Sequence, residues 1–132
     1  MIRHIGIVVK DLTKSMEFYH TLGFTLFHSA RREDSDFIDK ISAGQDILLY
    51  TTRVTNVHGD MLEFLEYNKH TTIGQQTLFN IGLAHFALTV ENILDLDVPW
   101  ISPPTINPEK TVRVGFCIAP EGTYVEVVEE LK

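Results

Sequence analysis

The sequence predicts an α+β fold of two βαβββ modules, whose strands, about eight in all, form one strongly curved mixed sheet. Three observations carry that prediction. The segment HIGIVVKDL at residues 4 to 12 is echoed by HFALTVENI at 85 to 93: a His, small or apolar residues, a Val, two polar or acidic residues and an apolar one. GDMLEFLEY at 59 to 67 and EGTYVEVVEE at 121 to 130 each place a Gly-containing turn before an apolar strand, with one Glu in its middle and another three residues later. Finally, 132 residues with 44% hydrophobic content suit one compact domain with a real core. That domain, 1–132, divides into module one at about 1–67, a polar linker at about 68–80 and module two at about 81–132.

The elements follow in order. Ile2 to Val9 is an apolar, β-branched run short enough for a buried strand. Asp11 is placed to cap a helix in which Leu12, Met16, Tyr19 and Leu22 build one apolar face, and Gly23 is placed to end it. Strands are expected at Phe24 to Ala30, Asp46 to Thr55 and Met61 to Tyr67, the last two joined by a turn at Asn56 to Asp60. A short helix is expected around Asp36 to Ile41. Module two repeats the plan with strands at Leu83 to Val90, Pro99 to Ile101, Thr111 to Ile118 and Thr123 to Glu129. Its helix, at Glu91 to Asp97, is cut short by Pro99, and Pro103, Pro104 and Pro108 keep the following stretch irregular.

Composition excludes several classes of function. A net charge of −7 disfavours nucleic acid and anionic membrane, and only Arg31-Arg32 approaches a basic patch. No run of about eighteen apolar residues is present to span a bilayer, and the N-terminal residues lack the pattern of a signal peptide, so a cytoplasmic location is expected. One cysteine, Cys117, makes neither an internal disulfide nor a thiolate-rich zinc site, so any metal here is held by imidazole and carboxylate.

Strand alternation places Ile2, His4, Gly6 and Val8 on one face, and Leu83, His85, Ala87 and Thr89 on the matching face of module two. Met61, Glu63 and Leu65 share a face, as do Tyr124, Glu126 and Val128, which sets two carboxylates on otherwise apolar surfaces. With no Lys or Arg expected at the matching positions of these strands, a divalent cation is the expected partner. Two imidazoles and two carboxylates form a neutral set with such an ion and leave positions open for water or substrate. Taken singly, each His is more often a hydrogen-bonded core or edge residue; the repetition of a His and a Glu at matched positions favours the ligand reading. Glu66 competes with Glu63, but its parity places it with Phe64 on the outer, helix-covered or solvated side. Glu129 and Glu130 read as solvated tail charges. His20 and His28 read as surface residues, His58 as part of a turn and His70 as part of an exposed loop. Cys117 reads as a small core hydrophobe, Trp100 as core or interface, and Arg31 and Arg32 as a solvated strand end, with recognition of an anionic substrate group as the minority reading.

Together HIGIVVKDLTKSMEFYHTLGF, GDMLEFLEY, GLAHFALTV and APEGTYVEVVEE resemble the signatures of the vicinal-oxygen-chelate superfamily, over nearly the whole chain. The resemblance implies paired βαβββ modules cupped around one divalent metal (Zn, Ni, Co, Mn or Fe), with ligands His4, Glu63, His85 and Glu126. The ligand set looks closest to glyoxalase I and methylmalonyl-CoA epimerase. That likeness implies a lyase or isomerase moving a proton through a metal-bound enediolate, with Glu126 or Glu63 as the base, on a small substrate with adjacent oxygens, in a homodimer. Two rival readings stand beside it: an iron-dependent extradiol-type dioxygenase using His4, His85 and Glu126, and a non-catalytic drug-binding protein without metal. The chain departs from the family pattern at Tyr67-Asn68-Lys69, Ala84 and Ala119, which leaves the substrate open.

Overall fold

The computed structural model describes residues 1–132 apart from Ile73 and Gln75. The chain divides into two compact units, Met1–Thr72 and Ile73–Lys132. The linker expected at 68–80 includes residues 73 and 75, which lie outside the described residues; the described remainder of that stretch holds neither helix nor strand. Among the described residues no helix is long and apolar enough to cross a membrane.

Unit one contains β1 (Ile5–Val8), α1 (Leu12–Thr21), β2 (Leu26–Glu33), α2 (Asp36–Ser42), β3 (Leu49–Thr55) and β4 (Met61–Tyr67). Its four strands lie in the order β1-β4-β3-β2, with β1 parallel to β4 and the other neighbours antiparallel. Unit two contains β5 (His85–Thr89), a 3-10 turn (Ile93–Asp95), β6 (Trp100–Ile106), β7 (Val112–Ile118) and β8 (Tyr124–Glu130). Its order, β5-β8-β7-β6, repeats the first with the same strand directions. The predicted modular α+β architecture and its eight strands are therefore borne out, as two four-stranded mixed sheets.

Local sequence explains the helices. Asp11 is extended, and its side chain accepts a hydrogen bond from the Lys14 amide at 3.2 Å, capping α1. Gly23, at φ 102°, sends its amide back to the His20 carbonyl and ends the helix, a backbone turn that glycine adopts without a steric penalty. The buried face of α1 is Ser15, Phe18, Tyr19 and Leu22, whereas Leu12 and Met16 are only half-buried. The stripe is rotated from the expected one because two adjacent rings anchor it: Phe18 meets Tyr19 edge-on at 5.0 Å, and Tyr19 packs on Phe64 of β4 at 5.5 Å.

β3 begins at Leu49 and β5 at His85, later than the expected Asp46 and Leu83, and three other strands differ from expectation for physical reasons. β1 begins at Ile5, not Ile2, and Ile2 is 84% exposed. Ile5 pairs with Leu62, so a strand continued back to Ile2 would face the hairpin turn at 56–60, where β4 has not yet begun. β2 runs from Leu26 to Glu33 with a bulge between Phe27 and Ser29, while Phe24 is buried ahead of it. β6 continues through Pro103 and Pro104, where an irregular stretch was expected. It is the outermost strand of its sheet, and register shifts between Trp100 and Ser102 and between Ser102 and Thr105 accommodate the missing amides.

Each sheet has one closely packed face. In β4 it carries Leu62 and Phe64, at 1% and 0% exposure, under α1; in β8 it carries Val125 and Val127 with Cys117 of β7, all fully buried. Met61, Glu63 and Leu65 lie on the opposite side of β4, and Tyr124, Glu126 and Val128 on the opposite side of β8.

Candidate metal centre

The duplication is preserved in the pairing register. Gly6 lies opposite Glu63 in the parallel pair of unit one, and Ala87 lies opposite Glu126 in that of unit two. Each small residue follows its histidine by two positions, so His4 and His85 approach equivalent points of β4 and β8.

The side chains meet accordingly. In unit one His4 Nε2 stands 3.5 Å from Glu63 Oε1, and in unit two His85 Nε2 stands 3.0 Å from Glu126 Oε2. All four side chains are buried or half-buried. Each imidazole also has its Nδ1 buried with no hydrogen-bond partner among the described residues.

The environments of the two carboxylates differ, and one expectation is corrected. Glu63, only 8% exposed, does have a cation: Arg53 of β3 lies directly across from it and donates Nε to Oε2 at 2.6 Å. This pair supplies the charge partner that a metal was expected to supply. At the matching register of unit two stands Phe116, paired with Glu126 and meeting the His85 ring edge-on at 5.0 Å. Glu126 thus has an imidazole and an aromatic neighbour where Glu63 has an imidazole and a guanidinium.

Glu129 is likewise corrected. It is no solvated tail charge: its Oε2 accepts the Ile93 amide at 2.9 Å, and Arg113 lies 3.4 Å away. Parity explains this, because Glu129 shares the buried face of Val125 and Val127. Its counterpart Glu66 falls, as expected, on the helix side with Phe64, in a cleft with Lys10, Asp11 and Lys14 at the start of α1. Glu130, His20, His28, His58 and His70 are exposed. Trp100 is half-buried, its ring lying against Gly115 of β7.

Whether these residues suit a divalent ion can be tested on their separations. Two donors at about 2.1 Å from one ion and at right angles to each other lie about 3.0 Å apart. The 3.0 Å separation matches that spacing and the 3.5 Å one is close to the roughly 3.4 Å between donors at the tetrahedral angle, and imidazole with carboxylate is a donor chemistry suited to first-row ions. Among the described residues neither imidazole has an acceptor at Nδ1 of the kind that ordinarily orients a ligating imidazole. Among the described residues no group of three or more His, Cys, Asp or Glu side chains is gathered to hold a metal, so each unit presents two donors.

Comparison with known proteins places this chain in a family. A family model described as the Glyoxalase/Bleomycin resistance protein/Dioxygenase superfamily matches residues 1–97. No curated protein matches the sequence. Among solved structures, a glyoxalase family protein from Bacillus cereus is 15% identical with a TM-score of 0.88, covering 99% of this chain and 94% of that one. The fosfomycin resistance protein FosX from Mesorhizobium loti is 12% identical, with a TM-score of 0.60 over 96% and 89% of the two chains. The trypanothione-dependent glyoxalase I of Leishmania major is 22% identical, with a TM-score of 0.60 over 98% and 86%. At such identities the likeness is one of fold. With a family model matching more than half of its length, the chain belongs to the glyoxalase/bleomycin resistance protein/dioxygenase superfamily.

Proposed function

We propose that the protein is a metal-dependent lyase or isomerase of the glyoxalase type, with His4, Glu63, His85 and Glu126 as ligands of one divalent ion. The substrate class is a 2-oxo compound or thioester with two adjacent oxygens. The observation that carries this reading is the repeated pair: in each unit an imidazole Nε2 faces a carboxylate at the same register of a parallel strand pair. The ion, when bound, acts as a Lewis acid that makes the carbon-bound proton beside a substrate carbonyl more acidic. Glu126 is the base. Among the described residues its carboxylate is engaged only by His85, whereas Glu63 is tied to a guanidinium. Glu126 takes the proton from one carbon and returns it to the neighbouring one, which completes an isomerisation. Phe116, packed edge-on against His85, helps to keep the ring in place.

The test has two parts. Purified protein reconstituted with nickel, cobalt, zinc or manganese should retain about one equivalent of metal; a retained content below about a tenth of an equivalent with every ion would defeat the ligand assignment. In deuterium oxide, proton NMR of 2-oxoaldehyde–thiol adducts and acyl thioesters should show exchange at the acidic carbon that Glu126→Gln abolishes. Unchanged exchange in that variant removes Glu126 as the base.

One observation favours a second reading. With Glu63 engaged by Arg53, an alternative ligand set of His4, His85 and Glu126 would be a two-histidine, one-carboxylate set suited to ferrous iron and dioxygen. Oxygen uptake with a catechol after anaerobic loading with ferrous iron would support it; no uptake leaves the lyase or isomerase reading in place.

A further inference from the structure

We infer that Arg53 is a positioning residue: it holds Glu63 so that only one carboxylate oxygen, Oε1, faces His4. Three observations converge. Arg53 and Glu63 are directly opposed on β3 and β4, so the contact is built into the strand register and not left to chance meeting of long side chains. Nε lies 2.6 Å from Oε2, while Oε1 lies 3.5 Å from His4 Nε2, so the two oxygens have separate partners. Glu63 is 8% exposed, and a carboxylate so buried gains little from water if the guanidinium is removed.

The matching position in unit two, Phe116, has no donor to offer Glu126. The two half-sites are thus alike in their ligand types and unlike in their freedom: Glu63 is held at both ends, Glu126 at one. Resting on the ligand assignment above, this has a consequence for metal binding. Glu63 would offer an ion a single oxygen, and loss of Arg53 would free the second.

The experiment begins with the metal-free protein, in which long-range 1H–15N NMR reports the ring nitrogens of each histidine. Arg53→Met should shift the His4 signals and leave those of His85 in place. In a Glu63→Gln background, Arg53→Met should produce no further shift at His4, because the influence passes through the carboxylate. Arg53→Lys keeps the charge without the side-on Nε and should give a smaller shift; it also serves as the readout should Arg53→Met fail to fold. An unmoved His4, or a shift that persists undiminished beside Glu63→Gln, overturns the inference. Cobalt loading separates this from the ligand assignment. The visible spectrum, sensitive to coordination number, should change between wild type and Arg53→Met, and an unchanged spectrum counts against single-oxygen donation. If wild type takes up no cobalt, the ligand assignment fails while the His4 signals still decide the role of Arg53.

Discussion

Replacing Glu129 by alanine removes two contacts at once from the buried side of β8. The first is the hydrogen bond from the Ile93 amide, 2.9 Å long, which ties the 3-10 turn to the sheet; Ile93 itself is fully buried. A hydrogen bond between a backbone amide and a charged carboxylate contributes about 1.5–3 kcal/mol. The second is the ion pair with Arg113 at 3.4 Å, with the two side chains 21% and 14% exposed, shielded enough to add to the first but too loosely spaced to rival it. The expected loss for Glu129→Ala is about 2–3 kcal/mol. At an m value of about 2 kcal/mol/M, the urea midpoint falls by about 1 M or slightly more. Glu130→Ala, one residue along and exposed, should cost less than about 0.5 kcal/mol. Equilibrium urea unfolding of both variants decides the matter. Equal midpoints for the two, or a Glu129→Ala loss under about 0.5 kcal/mol, would refute the assignment of Glu129 as an anchor.

Two further outcomes follow from the packed face of unit two. Burial pushes the Cys117 thiol up from 9.0 to about 11, so the folded state keeps a proton that the unfolded state releases; stability is unaffected below pH 9 and falls between pH 9 and 11 by as much as about 2 kcal/mol. Thermal unfolding across that range should show a shallower fall for Cys117→Ala, and a thiol reagent at pH 8 should react only after denaturation; ready labelling of folded protein would contradict this. Gly115→Ala would set a Cβ 2.8 Å from Trp100 Cζ3 and 3.1 Å from the Ser102 carbonyl oxygen, and should cost about 1–3 kcal/mol. As Trp100 is the only tryptophan, its fluorescence should shift in the same variant, and an unaltered spectrum with full stability would show that the ring has room to move.

Much of this structure could be read from repetition. The echo of His4 by His85 and of Glu63 by Glu126 gave two modules and their strand count, but it did not single out the pairing of each histidine with the glutamate of its own unit. What escaped were contacts made across strands or across elements. Arg53 is ten residues from Glu63 in sequence, and its role emerges only when the strands are paired. The signal was present: counting outward from the Asn56–Asp60 turn sets Thr55 beside Met61 and so Arg53 beside Glu63. Glu129 escaped because it lies near the chain end, although the parity that set Glu66 on the helix side applies equally to it. The prolines of β6 misled because they break a ladder only where a neighbour needs their amides, and an outer strand has one side with no neighbour in its sheet.

The placement of the two histidines at the start of end strands, His4 just ahead of β1 and His85 as the first residue of β5, couples chemistry to the integrity of the sheet margin. β1 is four residues long and β5 five, and each is held in its ladder by one neighbour, the strand that carries the facing glutamate. Fraying at either margin withdraws an imidazole. Conversely, any species that bridges His4 to Glu63, or His85 to Glu126, fastens the first strand of its unit to the last, so ligand affinity and the anchorage of those short strands become one linked equilibrium.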